Sequence, residues 1–198
     1  MIEATIFDYG AGNLHSLRKA LSSAGARVSI ESDPMAALDS DVLVLPGVGN
    51  FAVAAEKIRD AREEMRAAIL NGHPTLGICL GMQLLLDQSE EGIGEGLGVI
   101  PGSVRRLDSK RVPQIGWNTI EHDDRTLTVS GLETAYYANS FVCRPTLDDA
   151  TTAWSTHEDD RFPAVIRRAR AIGVQFHPEK SSTAGLRFIA ATIEELVR

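Results

Sequence analysis

The sequence predicts an α/β fold: a mostly parallel, doubly wound sheet with helices on both faces, plus antiparallel hairpins in the second half. In the first half, short apolar runs alternate with stretches of helical period. Short turns join them, and such alternation forms right-handed parallel crossovers. Beyond residue 104, short runs of alternating apolar and polar residues are typical of hairpins. The length of 198 residues fits a single domain spanning residues 1–198.

Four strands are predicted in the first half from its short apolar runs. They cover residues 2–7, 27–30, 42–45 and 75–78. A turn at 8–12 separates the first strand from a helix whose apolar residues are Leu14, Leu17, Leu21 and Ala24. Gly25 is expected to end this helix, because glycine readily adopts the left-handed conformation found at helix C-termini.

Polar residues mark the starts of the next helices. Asp33 followed by Pro34 predicts a short helix, since aspartate accepts hydrogen bonds from unpaired N–H groups and proline suits the first helical position. Asn50 is expected to cap a long helix with an apolar stripe of Phe51, Ala54, Ala55, Ile58, Met65 and Ile69. The fourth strand runs directly into a helix that holds Met82, Leu85 and Leu86.

The second half is organised differently. Residues 90–102 are rich in glycine and predict a loop, and residues 104–154 predict antiparallel hairpins. A strand at 171–176 precedes a final helix, which Ser181 or Ser182 is expected to cap. The apolar face of that helix is predicted to hold Leu186, Ile189, Ala190, Ile193, Leu196 and Val197.

Composition excludes several classes of protein. With 20 Lys+Arg and 27 Asp+Glu, the formal charge of −7 argues against nucleic acid or an anionic membrane as the main partner. Two cysteines are too few for a disulfide scaffold, and no His/Cys/Asp/Glu spacing suits a zinc or iron site. The N-terminus does not have the pattern of a signal peptide, and no apolar run reaches the ~20 residues that span a bilayer. We therefore expect a cytoplasmic protein that needs no metal and no cofactor.

A candidate nucleophile lies where the fourth strand meets its helix. Residues 77–81 read Gly-Ile-Cys-Leu-Gly, which is the G-x-nucleophile-x-G elbow with cysteine in place of serine. The residues two before and two after Cys79 must be small, because strand and helix backbones approach closely there. A helix N-terminus also favours the thiolate. The alternative is an inert core cysteine, which is the usual role of a buried cysteine.

His177 is the best candidate for the base that a thiol nucleophile needs. It directly follows the strand at 171–176, and Pro178 favours an extended backbone before it. In an extended segment His177 and Glu179 point to one side, so the carboxylate can hold the imidazole tautomer. Cys79 and His177 both follow the C-terminal ends of strands, where parallel sheets carry their sites. The alternative is a surface histidine before a turn.

Residues 46–49, Pro-Gly-Val-Gly, end the third strand and suit an oxyanion hole. Two glycines around Val48 let its backbone N–H turn toward a developing oxyanion, and the Leu80 N–H supplies a second donor. The alternative is a plain strand-to-helix turn. Gly10-Ala11-Gly12 resembles the start of a dinucleotide fingerprint, but the third glycine is replaced by His15.

These residues together resemble the class I glutamine amidotransferase family. Its two signatures match GICLGMQLL at 77–85 and HPE at 177–179. Other segments resemble a subgroup whose members pass ammonia to a (βα)₈-barrel cyclase subunit. These segments are FDYGAGNL at 7–14, LPGVGNF at 45–51, GLGVIPGSV at 96–104, VPQIGWN at 112–118 and GVQFHPEKS at 173–181. The resemblance covers essentially the whole chain.

The resemblance implies a Cys79–His177–Glu179 triad that hydrolyses glutamine to glutamate and ammonia through a glutamyl thioester. It further implies a heterodimer with the cyclase subunit, with low activity until the cyclase binds its own ligand. The substrate-binding residues that it implies are Gly49, Gln83, Ser140 and Phe141.

Two segments depart from the usual family sequence. The family often has histidine where this chain has Gln114, and VHSY where residues 138–141 read ANSF, with Asn139 in place of the histidine. Both segments lie near the subunit interface in the family. The departures leave the three triad residues unchanged, and they affect the segments expected to bind the glutamine carboxylate and to receive the partner's signal.

The sequence supports three functions to different degrees. The first is a partner-activated glutaminase that feeds a cyclase, favoured by the segments at 7–14 and 112–118. The second is a glutaminase subunit of another ammonia-using synthase. The third is an inert amidotransferase-like binding module, which predicts a missing triad member. Cys143 has no elbow and no flanking glycine, so we do not expect a second nucleophile.

Overall fold

The computed structural model describes residues 1–10, 12 and 14–198. Ala11 and Asn13, which belong to the segment at 7–14 and to its partial dinucleotide fingerprint, lie outside the described residues. The described strands, in chain order, are β1 (Glu3–Phe7), β2 (Arg27–Glu31), β3 (Val42–Leu45), β4 (Thr75–Ile78), β5 (Gln88–Ser89), β6 (Gly92–Glu95), β7 (Gly102–Arg106), β8 (Gln114–Thr119), β9 (Glu121–His122), β10 (Thr134–Asn139), β11 (Phe141–Pro145), β12 (Thr151–His157), β13 (Asp160–Arg168) and β14 (Ala171–Val174).

The helices lie mainly between the parallel strands and at the C-terminus. They are α1 (His15–Ser23), α2 (Pro34–Ala37), α3 (Phe51–Ile58), α4 (Arg62–Leu70), α5 (Leu80–Gln83), α6 (Arg125–Ser130) and α7 (Ser182–Val197). In the described part of the chain, 3₁₀ turns occur at Arg59–Ala61 and Pro178–Lys180. Among the described residues, no helix has the length and apolarity needed to cross a membrane.

The main sheet confirms the predicted fold class. Its strand order is β2-β1-β3-β4-β14-β13-β12-β9. The first five strands in this order run parallel, and β13, β12 and β9 follow with each strand antiparallel to the one before it. The second half also forms two smaller sheets, β10-β8 and β11-β7-β5-β6. Strands β4 and β14 are neighbours, with Ile78 paired to Val174, so the segments after them emerge side by side.

Helices cover both faces of the parallel sheet, as predicted. Val42 and Val44 of β3 belong to an apolar cluster with Leu17 of α1 and Phe188 of α7. The alternate residues of the same strand, such as Leu43, belong to a second cluster, which also contains residues of α3 and α4. Side chains of a strand alternate between faces, so β3 is buried on both sides and its sequence is continuously apolar.

Two predicted helices are shorter in the structure. The helix expected over residues 51–69 is interrupted by a 3₁₀ turn at Arg59–Ala61, although its apolar stripe is buried throughout. Ile58 and Met65 are seven residues apart, close to two helical turns, so the pattern did not reveal the break. The helix after β4 is the single turn of α5, and Leu85 and Leu86 are buried beyond its end.

The loop predicted at 90–102 is wrong in part, because it contains β6, which pairs with β5. The glycines of this segment allow its backbone to approach α3 closely. A Cβ on Gly92 would lie 2.8 Å from the Ala52 side chain, and one on Gly94 would lie 2.7 Å from that of Ala55. These glycines therefore let a strand pack directly against α3, whereas composition alone indicated a loop.

The second half contains a strand and a helix that were not predicted from the sequence. Strand β13 forms a hairpin with β12 and extends the main sheet. Helix α6 begins after Asp124, whose carboxylate accepts hydrogen bonds from the N–H groups of Thr126 and Leu127. An aspartate cap was therefore present as a signal for α6.

Helix α7 begins where predicted, but its cap and part of its buried face differ from the prediction. Neither Ser181 nor Ser182 caps it through a side-chain hydrogen bond. The Ser181 hydroxyl instead donates to the His177 carbonyl oxygen and accepts from the Tyr136 N–H. Leu186 is 39% exposed, and Phe188 is buried in its place. Ile189, Ile193 and Leu196 are buried as predicted.

Asp124 is expected to make the fold sensitive to strong acid. Its buried carboxylate accepts a hydrogen bond from Arg167 Nε at 2.7 Å. Burial would raise its pKa, but hydrogen bonds from Arg167 and Thr126 outweigh burial and lower the pKa from 3.8 to about 2. A depressed folded-state pKa means that the stabilisation, about 2 kcal/mol, is fully present above pH 3.8 and is lost as the pH falls through 2.

Thermal unfolding of the wild type and of Asp124→Asn between pH 2 and pH 7 tests this expectation. The stability difference between the two proteins should narrow toward pH 2. Asp148→Asn, which changes an exposed aspartate, is the control and should follow the wild type at every pH. A difference between wild type and Asp124→Asn that stays constant with pH would contradict the assignment.

Candidate active site

Cys79 lies in a strained turn between β4 and α5. Its backbone has φ 47° and ψ −102°, an unusual conformation for a residue other than glycine. Its N–H donates to the Val174 carbonyl oxygen at 2.7 Å, which ties the turn to β14. A Cβ on Gly77 would lie 2.6 Å from the Gly81 carbonyl oxygen, and one on Gly81 would overlap the Leu45 carbonyl oxygen. The requirement for small residues on both sides of Cys79 is therefore confirmed.

The short helix changes one expectation about the elbow. Because α5 has a single turn, a long helix dipole does not act on the thiol. What remains at this end of α5 is the set of first-turn N–H groups that no residue of the helix itself can accept. The Leu80 N–H is the first of these.

His177 follows β14 and is held by its own backbone and by Glu179. Its N–H donates to the Tyr136 carbonyl oxygen at 2.8 Å. Its Nδ1 lies 2.9 Å from Glu179 Oε1, and the exposed fractions of the two side chains are 3% and 7%. The extended backbone predicted for 177–179 is wrong beyond His177, because Glu179 lies in the 3₁₀ turn at Pro178–Lys180, and this turn brings its carboxylate to the imidazole. The structure thus places a buried carboxylate against the imidazole.

The electrostatics of His177 favour the imidazolium. Burial lowers its pKa, but hydrogen bonds with Cys79 and Glu179 and the negative charge on both outweigh burial. The net effect raises the pKa of His177 from 6.5 to about 10. Gly47 lies against the same pair, since a Cβ there would be 3.0 Å from His177 Cε1 and 3.1 Å from Cys79 Cβ.

A cavity of about 200 Å³ opens at Cys79. It is small beside the 300–1,000 Å³ typical of sites for larger ligands, and it suits a molecule the size of an amino acid. Its lining residues are Gly47, Gly49, Cys79, Leu80, Gln83, Glu91, Ala138, Asn139, Ser140 and Phe141. The structure thus brings Gly49, Gln83, Ser140 and Phe141 to the nucleophile.

The two candidate oxyanion donors lie in different surroundings. Leu80 lines the cavity at Cys79. Val48 lines a second cavity of about 160 Å³, which it shares with Pro46, Gly47 and Glu179. The Val48 side chain packs against the apolar cluster that contains Leu14 and Leu17 of the α1 region. The stretch at 46–49 therefore separates the two cavities.

Gln175 is a residue at the nucleophile that was not predicted from the sequence. Its Nε2 donates to Cys79 Sγ at 3.5 Å, and its Oε1 accepts from Gln83 Nε2 at 3.4 Å. Gln83 Nε2 also donates to the Phe141 carbonyl oxygen at 3.1 Å. Gln175 and His177 are two residues apart in an extended segment, so the period-2 argument that paired His177 with Glu179 also applied to Gln175.

Glu91 was missed as well, and it is the one acidic side chain among the described residues that line the cavity at Cys79. Its Oε2 accepts a hydrogen bond from the Phe51 N–H at 2.9 Å, which fixes the carboxylate at the start of α3. Glu91 precedes β6 in the segment that was predicted to be a loop, and no spacing rule in the sequence connects it to Cys79. Within the described ranges, no group of His, Cys, Asp or Glu side chains is arranged to hold a metal ion.

The two departures from the usual family sequence face each other. Asn139 of β10 pairs with Gln114 of β8, and both side chains are buried. Asn139 Nδ2 donates to the Phe141 carbonyl oxygen at 3.1 Å. Within the described part of the chain, neither the Gln114 Oε1 nor the Asn139 Oδ1 atom has a hydrogen-bond partner.

Cys143 on β11 is fully buried, and burial, followed by the charge at Cys79, raises its pKa well above the ordinary value.

Comparisons with known proteins found matches over nearly the whole chain. The family model described as glutamine amidotransferase class-I matches residues 5–194. The chain is 42% identical to imidazole glycerol phosphate synthase subunit HisH of Microcystis aeruginosa, covering 96% of this chain and 94% of that relative. It is 41% identical to the subunit HisH of a strain of Thermus thermophilus, covering 96% of each chain.

Solved structures show the same fold at lower identity. A crystal structure of a glutamine amidotransferase superposes with a TM-score of 0.73 at 18% identity, covering 96% of this chain and 98% of that chain. The structure of PurLQS from Thermotoga maritima gives a TM-score of 0.71 at 20% identity, covering 100% and 98% of the two chains.

Proposed function

The chain belongs to the class I glutamine amidotransferase family, and from this premise we propose that it is the glutaminase subunit of an imidazole glycerol phosphate synthase. It hydrolyses glutamine to glutamate and ammonia and delivers the ammonia to a cyclase partner for histidine biosynthesis. The observation that carries this proposal is that Cys79, at the wall of a cavity of amino-acid size, lies beside a buried His177 that is paired with Glu179. An inert binding module has no need for this arrangement.

In the proposed first half-reaction, Cys79 Sγ attacks the side-chain amide carbon of glutamine. The proton resides on His177, whose raised pKa near 10 keeps the imidazole charged at neutral pH. Backbone N–H groups of Leu80 and Val48 stabilise the oxyanion of the tetrahedral intermediate. His177 then donates its proton to the amide nitrogen, the carbon–nitrogen bond breaks, and ammonia leaves a glutamyl thioester on Cys79.

In the second half-reaction, water hydrolyses the thioester. His177, now neutral, takes a proton from the attacking water, and the carbon–sulfur bond breaks to release glutamate. Glu179 keeps Nδ1 of the ring protonated, so that the other nitrogen faces the reacting atoms. Gln175 Nε2 donates a hydrogen bond to the Cys79 sulfur. No metal and no cofactor takes part in this scheme.

Substrate contacts follow from the polarity of the cavity wall. Glutamine carries an ammonium and a carboxylate at its α-carbon, and Glu91 supplies a negative charge for the ammonium. Gly49, Gln83, Ser140 and Phe141 complete the proposed binding site. Gly49 has a φ of +124°, which residues with a Cβ rarely adopt, so the backbone conformation at this position favours glycine.

Glu91→Gln is expected to weaken glutamine binding more than it slows the chemistry. The amide keeps an oxygen for the Phe51 N–H but loses the charge that faces the ammonium. We expect the KM for glutamine to rise by about 10-fold to 100-fold, and kcat to change by less than about threefold. Steady-state kinetics with the cyclase partner measure both constants.

The control for Glu91→Gln is Glu90→Gln, which neutralises the neighbouring acidic residue. Glu90 pairs with Arg105 and is absent from the residues that line the cavity. Its KM should remain near that of the wild type. An unchanged KM in Glu91→Gln, or equal increases in both variants, would contradict the assignment of Glu91.

The cyclase partner is part of the proposal. Ile115 and Trp117 of β8 are exposed large apolar residues, and they lie on the strand whose Gln114 faces Asn139 at the cavity wall. Exposed apolar side chains of this kind favour a docking surface near the mouth of the site. Glutamine is the substrate in this proposal, and neither nucleic acid nor a membrane is a partner.

The proposal also includes one domain over residues 1–198 and a cytoplasmic location. The two apolar clusters share the strands of one sheet, which supports the single domain. Cys79 and Cys143 are both unpaired thiols, as is common in reducing compartments.

The decisive experiment measures glutamate release from glutamine by the chain alone, with the cyclase subunit, and with the cyclase bound to its nucleotide ligand. We expect low activity from the chain alone and a large increase with the liganded cyclase. Activation by a different ammonia-using synthase instead would replace the cyclase as partner. Absence of glutaminase activity with every synthase would overturn the proposal.

A further inference from the structure

Tyr9 is a fully buried residue that touches both ends of the stretch at 46–49. It follows β1, and its ring contacts Phe7 edge-to-face with centroids 5.9 Å apart. Its hydroxyl donates a hydrogen bond to the Pro46 carbonyl oxygen. Its ring also borders Gly49, where an added Cβ would lie 3.7 Å from Tyr9 Cε2.

The stretch at 46–49 needs such an external restraint. Gly47 and Gly49 have no side chains, so their backbone torsions are freer than those of other residues. Gly47 lies against His177 and Cys79, and Val48 follows it at the wall of the smaller cavity. A rotation of either glycine would therefore redirect the Val48 N–H relative to Cys79. Catalytic donors act only when their geometry is held before the reaction.

We propose that Tyr9 is a positioning residue for the glutaminase reaction: its hydroxyl, bonded to the Pro46 carbonyl, holds the 46–49 backbone so that it presents the Val48 N–H to the oxyanion. The ring provides the second point of support at Gly49, and the Val48 side chain in the apolar cluster provides a third. This inference rests on the proposed function, because it concerns the oxyanion of that reaction.

The chemistry of Tyr9 suits a fixed donor. Burial, followed by the negative charges at Cys79 and Asp8, raises the pKa of Tyr9 well above its usual value of 10. The hydroxyl therefore stays protonated and keeps donating over the working pH range. A carbonyl oxygen can only accept, so the direction of the bond to Pro46 is fixed. Tyr9 consequently acts through the backbone that it holds and transfers no proton to substrate.

Tyr9→Phe in the complex with liganded cyclase tests the proposal. The variant keeps the ring against Phe7 and Gly49 and removes only the hydroxyl. We expect kcat for glutamine hydrolysis to fall by about 10-fold or more, with KM changed by less than about twofold. Deleting an oxyanion donor lowers kcat by about 10²–10³-fold, and a misplaced donor is expected to cause part of that loss. Alkylation of Cys79 by iodoacetamide should proceed at the wild-type rate, because that reaction forms no oxyanion.

Tyr137→Phe is the matched control. Tyr137 is also fully buried, and its hydroxyl lies 2.6 Å from Ser155 Oγ, away from the 46–49 stretch. Both variants should show a similar decrease in thermal stability, but only Tyr9→Phe should show a lower kcat for glutamine hydrolysis. An unchanged or increased kcat in Tyr9→Phe, equal kcat losses in both variants, or slower alkylation of Cys79 would overturn the proposal. A wild-type complex without glutaminase activity would instead mark failure of the proposed function itself.

Discussion

Replacing Cys79 with alanine is expected to lower glutamine turnover by about 10⁴-fold or more, because a nucleophile and its base act as a unit. Alanine keeps the Cβ and meets the same positive φ at the elbow, so the fold should persist. His177 and Glu179 remain in place but have no sulfur to activate. Glutamate release by the complex with liganded cyclase measures the loss, and circular dichroism establishes that the variant is folded.

Cys143→Ala is the control for this variant. Cys143 is the other buried thiol, and burial raises its pKa well above the ordinary value, which keeps it protonated and unreactive. We expect turnover in Cys143→Ala close to that of the wild type, with a modest loss of stability from the smaller side chain. The assignment of Cys79 as the nucleophile would be contradicted by a Cys79→Ala protein that still hydrolyses glutamine. It would also be contradicted if turnover in Cys143→Ala fell to the same degree.

Gly81→Ala is expected to destabilise the fold by about 4 kcal/mol or more, a loss that few single substitutions reach. The added Cβ would overlap the Leu45 carbonyl oxygen, which is backbone and cannot move aside as a side chain would. Relief requires α5 to move away from β3, and that movement displaces Cys79. Denaturant unfolding measures the loss, and we expect little folded protein or a greatly reduced midpoint.

Gly12→Ala is the comparison for Gly81→Ala. A Cβ on Gly12 would meet no heavy atom within 4 Å, so this variant makes the same chemical change in open space. Its stability should lie within about 1 kcal/mol of the wild type. A Gly81→Ala protein that unfolds at the wild-type midpoint would show that the elbow can relax, and would contradict the close contact between α5 and β3.

Local sequence patterns predicted much of the fold because each depends on neighbouring residues. Asp33 and Asn50 cap helices as expected, since a cap needs only the N–H groups two or three residues ahead. The continuous apolar run at 42–45 predicted a strand, and β3 is a strand that is buried on both faces. The helix expected at 51–69 was less accurate, because a helical period of burial persists across a one-turn break.

Residues of the candidate site were predictable when they belonged to a short sequence motif with a known backbone conformation. The glycines around Cys79 indicate a crowded turn, and the short distance in sequence between His177 and Glu179 lets one segment carry both. Glu91 and Tyr9 carry no such signal, because their partners at Phe51 and Pro46 are about 40 residues away in sequence. Only a folded sheet brings these groups together.

The sequence by itself determined the α/β class, the elbow at Cys79 and the family to which the chain belongs, because these depend on periodicity and on short motifs. The tertiary structure decided which residues surround the nucleophile. Pairing of β4 with β14 places Cys79 beside the segment of His177. Strand β6 packs on α3, and Glu91, the residue before β6, lies at the cavity wall. These arrangements arise from hydrogen bonds and contacts between distant segments, and no local pattern encodes their geometry.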